Sequence, residues 1–144
     1  HTRNIKKRLM NINLNVAFDV TGWEPVPYDE SIETAKLSQV TIKKNFSGEL
    51  EGESTAQGLF CACEDGSASY VVLERVTGKT ADREGTFVIQ HGGILKGGAA
   101  VNQFGDVIPG SGTGGFAGVE GHVLFTHGEA GAFVKMDLAF EQLL

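Results

Sequence analysis

The chain has 144 residues, enough for one domain with a real core and too few for two ordinary ones. Its net charge of −6 argues against a general nucleic-acid binder, and no apolar run reaches the ~20 residues of a membrane helix. Twenty glycines, about twice the usual share, point to β structure, because glycine is costly in helices and serves turns, bulges and sheet corners.

The first nine residues hold the cationic cluster "RNIKKR" and read as an N-terminal extension or added segment, with the domain at 10–144 and Met10 as the natural start. "NIKKRLMNINLNVAF" is not a signal peptide, since Asn11, Asn13 and Asn15 interrupt its apolar stretch. Residues 10–20 alternate instead. Met10, Ile12, Leu14, Val16, Phe18 and Val20 share one parity against asparagines and Asp19, the period-2 signature of a strand with one buried face. "TGWEPVPYDE" then reads as a loop, with two prolines and acidic residues, in which Trp23 and Tyr28 act as anchors. Positions 30–37 offer the one helical temptation and are too short and too polar to sustain it.

"TAKLSQVTIKKNFSG" gives a second strand with Val40, Ile42 and Phe46 on one face. "ELEGESTAQGLFCAC" gives a third. Leu50, Ala56, Phe60 and Ala62 share a face with the small Gly52, Ser54 and Gly58, and Glu49, Glu51 and Glu53 form a solvated row opposite. Cys61 and Cys63 project from one face at the upper limit of bridging distance, which favours reduced, buried or half-buried thiols and fits a reducing cytoplasm. After an "EDG" hairpin turn, "SASYVVLERVTG" is the fourth strand. "EGTFVIQHGG" is a fifth, ending in its glycine pair; "AAVNQFGDVI" is a weaker sixth, "FAGVEGHVLFTHG" a seventh and "AFVKMDLAFEQL" the last. Eight sequential strands without crossover helices have an edge problem, which closure solves, so the fold expected is all-β: a single closed antiparallel eight-stranded barrel, packed inside or holding one small ligand.

"GSGTGG" at 110–115 satisfies G-x-G-x-x-G, but the following "FAGVEGHVLF" carries Gly118, Gly121 and β-branched residues where a dinucleotide site needs a helix. The glycines therefore read as architecture, a strand start where the wall coils or another group packs close. A helix beginning at Thr113 or Gly114 would contradict this.

"WEPVPYDE", "FSGELEGES", "YVVLERVTGKTADREGTFVIQHGG" and "VIPGSGTGGFAGVEGH" together resemble the bacterial domain-of-unknown-function family 3224, from about Met10 to the C-terminus. The resemblance implies a barrel similar to allene oxide cyclase, with eight antiparallel strands around a cavity, and a homodimer. It brings no established activity, and kinship of fold with cyclases does not confer one.

Candidate lumen residues are Tyr70, Glu74, Gln90, His91 and His122. Tyr70, Val72 and Glu74 share a strand face, so an inward Glu74 is a carboxylate in an apolar wall, able to act as acid or base or to pair with a neighbouring strand's charge. Gln90 and His91 face opposite ways, and only one can look inward. His122 and His127 point to opposite faces, and a pairing of His91 with His122 lacks support. No metal motif, nucleophile elbow or cofactor fingerprint is present, and no cofactor is expected. The leading expectation is a small, mainly apolar molecule bound in the lumen; the alternatives are a cofactor-independent isomerase or cyclase, or a structural or assembly barrel. A cavity of roughly 300 Å³ or more with two converging titratable groups would favour the first two.

Overall fold

The computed structural model describes residues 7–143 and contains nine strands. β1 spans Lys7–Asp29, β2 Ala35–Gly48, β3 Glu51–Cys63, β4 Ala68–Lys79, β5 Glu84–Lys96 and β6 Ala99–Val107. β7 is the two-residue Thr113–Gly114, followed by β8 (Glu120–Gly128) and β9 (Gly131–Leu143). All pairings are antiparallel, and each strand but β7 pairs with its sequence neighbour. β9 returns to β1, with Val16 opposite Val134, which closes a ring of eight. β7 stands outside the ring against Gly85 and Thr86 of β5. Among the described residues no helix is long and apolar enough to cross a membrane.

The alternation seen in the sequence sets the inner face. Even positions of β2, β3 and β4 and odd positions of β5 point inward, placing Val40, Ala56, Val72 and Ile89 in the interior. The Glu49, Glu51 and Glu53 row is exposed. "EDG" is a hairpin turn, with Gly66 at φ +86° and the Asp65 carboxylate accepting a hydrogen bond from the Ser67 N–H at 2.8 Å.

Four boundaries depart from the sequence reading. β1 begins at Lys7, so positions 7–9 belong to the ring, opposite the end of β9; the rest of the expected extension lies outside the described residues. β1 also runs through "TGWEPVPYD" instead of ending in a loop. Beyond Ala17 it pairs only with β2, and a proline's missing N–H costs nothing on such an edge, so Pro25 and Pro27 are tolerated opposite Val40 and Ser38. The fifth strand does not stop at Gly92–Gly93. Gly92 lies within it because a Cβ there would fall 2.4 Å from the Tyr70 carbonyl oxygen, and the turn follows at Gly97 and Gly98, both with positive φ. Finally, Phe116 and Val119 precede β8 in a looped segment.

That looped segment contains "GSGTGG", and no helix starts there. A Cβ on Gly112 would lie 1.9 Å from the Phe116 carbonyl oxygen, and the close approach turns Phe116 into the ring. Phe116 and Val119 are fully buried, with the Phe116 ring 4.9 Å from that of Phe87. Arg83 fastens the segment, donating to the Gly115 carbonyl at 2.9 Å and stacking its guanidinium 3.9 Å from the Phe140 ring. This end of the ring is therefore plugged, and one apolar cluster fills it from Leu14 to Phe140.

Candidate functional site

The opposite end is not filled. One unpaired residue in β1 creates the difference. Val20 pairs with Lys44 and Gly22 with Lys43, leaving Thr21 as a bulge that reverses the strand's inward parity. Trp23 consequently stands opposite the inward Ile42 and sets its indole 5.3 Å from the Phe60 ring. Across the mouth, β6 and β8 pair only at Asp106–His122 and Val107–Gly121, so the strands separate above that point. The result is a cavity of about 270 Å³ walled by Phe18, Trp23, Phe60, Tyr70 and Phe125, with Gln103 and His127 at its rim.

Its floor is ionic. Glu74, with no exposed surface, accepts hydrogen bonds from Lys44 Nζ at 2.9 Å, Ser54 Oγ at 2.7 Å and His91 Nε2 at 2.9 Å. Burial pushes the Glu74 carboxyl up from its ordinary 4.5, but the hydrogen bonds and charge interactions of His91 and Lys44 together outweigh burial and hold it at about 2. Lys44 is itself buried, its Nζ lying 4.2 Å from the centroid of Phe125 and 5.0 Å from that of Phe18. These ring faces supply cation–π attraction to the buried ammonium. The His91 ring lies 4.3 Å from Phe125 and 6.2 Å from Tyr70.

The proton positions follow from this network. An ionised Glu74 only accepts, so His91 Nε2 carries hydrogen. Nδ1 has no hydrogen-bond partner among the described residues and is not sealed from solvent. In the neutral ring it is a lone-pair base, held in one tautomer by a carboxylate, the arrangement that orients a catalytic histidine in hydrolase triads.

Of the residues singled out from the sequence, the structure brings Tyr70, Glu74 and His91 together and leaves the other two outside. Gln90 is exposed on the outer face, because the parity of Phe87, Ile89 and His91 faces in. His122 also points outward, 78% exposed, with Nδ1 2.7 Å from an Asp106 oxygen, so it does not meet His91. His127, of opposite parity, stands at the rim 5.7 Å from the Phe18 ring. Glu74 lies in the interior, hydrogen-bonded to His91 on the adjacent β5 and paired with the charge of Lys44 on β2, two strands away across β3. Cys61 and Cys63 are free thiols on the outer face, half-buried, with sulfurs 3.9 Å apart. No group of three His, Cys, Asp or Glu side chains among the described residues converges as a metal site.

Sequence reasoning missed Lys44. The signal was present: Lys44 lies on the Val40, Ile42, Phe46 parity, and a lysine on an apolar face requires a buried partner. Ser54 was placed on the correct face as a small residue, without a role. The approach of Trp23 to the mouth had no signal, because a bulge with an ordinary threonine leaves none.

A family model described as "Protein of unknown function (DUF3224)" matches residues 14–140. A crystal structure of a protein of unknown function from that family, from Shewanella oneidensis MR-1, superposes with a TM-score of 0.82 and is 31% identical, covering 92% of this chain and 99% of that one. No curated protein matches the chain.

Proposed function

The chain belongs to the DUF3224 family, described only as of unknown function, and from its geometry we propose that it binds a small, mainly apolar molecule in the mouth of the ring. This reading treats the ring as a barrel of the allene-oxide-cyclase kind, with one end packed and the other receptive. The observation that carries it is the Lys44–Glu74–His91 cluster lying at the base of an aromatic cavity instead of in the sealed core. Few convergent polar groups within apolar walls are what a small-molecule site needs, and the cavity's volume of about 270 Å³ falls just below the roughly 300 Å³ expected of such sites. The ligand is correspondingly small, with an apolar body against the rings and an acceptor or hydroxyl toward Lys44 and His91.

Trp23 is the one tryptophan of the chain and lines this cavity, so its fluorescence reports occupancy. Titration with 8-anilinonaphthalene-1-sulfonate is expected to give saturable one-to-one energy transfer from Trp23. Gln103→Phe, which fills the rim, and His91→Phe, which keeps the ring and removes its nitrogens, should both weaken it. Native mass spectrometry of freshly purified protein should show an added small mass that the same variants lose. Absence of saturable binding, or binding unchanged in both variants, refutes the proposal.

A second reading, a cofactor-independent isomerase or cyclase, is favoured by the Glu74–His91 pair with its available Nδ1. The step suited to it is removal of a proton from carbon beside a carbonyl, with the electron pair passing to the carbonyl oxygen near Lys44 and the proton to Nδ1. Cyclohexanone in deuterated water is a simple probe. Catalysed exchange of its α-hydrogens, lost in His91→Phe, supports this reading, and exchange at the uncatalysed rate overturns it.

A further inference from the structure

The outer face of β3 carries a pair of thiols that the mouth does not use. Side chains alternate along "CAC", so Cys61 and Cys63 stand on one face of the strand and Ala62 on the other. Both thiols are free and half-buried, and their sulfurs lie 3.9 Å apart. Their neighbours across the strands are uncharged: Cys61 lies opposite Leu37 of β2 and Ser69 of β4, and Cys63 opposite Ala35 of β2. A thiol pair so placed can close into a disulfide or share an ion. Two strand rises separate the Cα atoms by ~6.6 Å, at the outer limit for a bridge, and this opposes the disulfide. A shared ion fits. Metal–sulfur bonds of about 2.3 Å span a 3.9 Å sulfur separation at an S–metal–S angle of about 115°, between the tetrahedral and trigonal values.

We propose that Cys61 and Cys63 form a surface chelate for copper(I). Ligand number and softness select the ion. Zinc in a structural site is enclosed by four protein ligands, and among the described residues no third His, Cys, Asp or Glu joins this pair. Copper(I) is a soft ion that thiolates favour, and two or three ligands satisfy it. Entry is open, because Cys61 lines a surface groove of about 370 Å³ together with Leu37, Leu59, Val71 and Phe104. The groove lining includes no charged side chain, so no carboxylate there competes for the ion and no cation pairs with the thiolates. On binding, each thiol gives its proton to water, two copper–sulfur bonds form, and the ion keeps its oxidation state.

Anaerobic titration of the full chain with copper(I), kept reduced by ascorbate, against the chromogenic chelator bicinchoninate tests this. The chain should withdraw one ion per molecule from the chelator and develop a sulfur-to-copper charge-transfer band in the ultraviolet. Cys61→Ser and Cys63→Ser should each weaken retention by about 10²–10⁴-fold, since either leaves one thiolate without its chelate partner. Unchanged circular dichroism and thermal midpoint in these variants separate loss of the site from loss of the fold. Copper left wholly with the chelator, or retained equally by both variants as at an adventitious site, overturns the proposal. Zinc held as tightly as copper(I) overturns the choice of ion.

Discussion

Replacing Glu74 by glutamine keeps the shape of the side chain and removes its charge, and the effect should depend on pH in one direction. In the folded protein the carboxyl is held at about 2 against an ordinary 4.5. At about 1.4 kcal/mol per pH unit, that difference corresponds to about 3 kcal/mol. A folded-state pKa below the unfolded one means stability that is fully present above pH 4.5 and lost as pH falls toward 2. Removing the carboxylate also leaves Lys44 buried without its counter-charge, for which a penalty of about 3–5 kcal/mol is typical. Urea unfolding of both proteins at several pH values between 6 and 2.5 measures this. Other carboxylates titrate in both proteins and cancel in the difference. Glu74→Gln is expected to be clearly less stable near pH 6, with the gap closing by about 2–3 kcal/mol toward the acid end. A gap that stays constant over this range would show that Glu74 is not held ionised by Lys44 and His91, and the account of the floor would fail.

Further outcomes follow from the packing. Gly112→Ala forces a Cβ onto the Phe116 carbonyl and should cost about 1–3 kcal/mol in urea unfolding, whereas Gly128→Ala, with open space and no positive φ, should be within about 0.5 kcal/mol of wild type. Phe116→Ala empties the plugged end and should cost about 3–5 kcal/mol while leaving the Trp23 emission maximum unchanged, since the cavity lies at the other end. Trp23→Leu should leave stability almost unchanged, because the indole is half-exposed, but should weaken binding of the naphthalene probe measured by its own emission. Equal losses of stability at Gly112 and Gly128, or a red-shifted Trp23 in Phe116→Ala, would contradict the division into a packed end and an open one.

Alternation made the strands legible, and with them the absence of a nucleotide loop at residues 110–115. It placed Tyr70 and Glu74 on one face, and the phase of Phe87 and Ile89, once known to be inward, placed His91 with them. What stayed hidden has physical causes. Parity within one strand does not say which face is inside, so Gln90 could not be separated from His91 without the partners of β5. Prolines mark loops only where the backbone N–H is needed, and the far half of β1 has a free edge. Glycines mark turns and close approaches alike: Gly97 and Gly98 make the turn, whereas Gly92 lies beneath a tyrosine carbonyl and a phenylalanine ring. The ion cluster is assembled from β2, β3, β4 and β5; Glu74 pointed to it as an inward carboxylate, and its missed partner Lys44 carried a signal of its own by standing among apolar neighbours.

Thr21 is the first of two unpaired residues in β1, the second being Tyr28 between Pro27 and Asp29, and it shifts the reading frame of the stretch between them. Even positions before Thr21 face inward, from Leu14 and Val16 in the core to Phe18 at the cavity wall, and after it the odd position Trp23 does. Deleting Thr21 would leave the first half of the strand in phase and turn the positions from Gly22 to Pro27, Trp23 among them, to the other face at once. The open end is thus set out of step with the scaffold by one amino acid, and losing that residue would turn the Trp23 wall of the mouth outward.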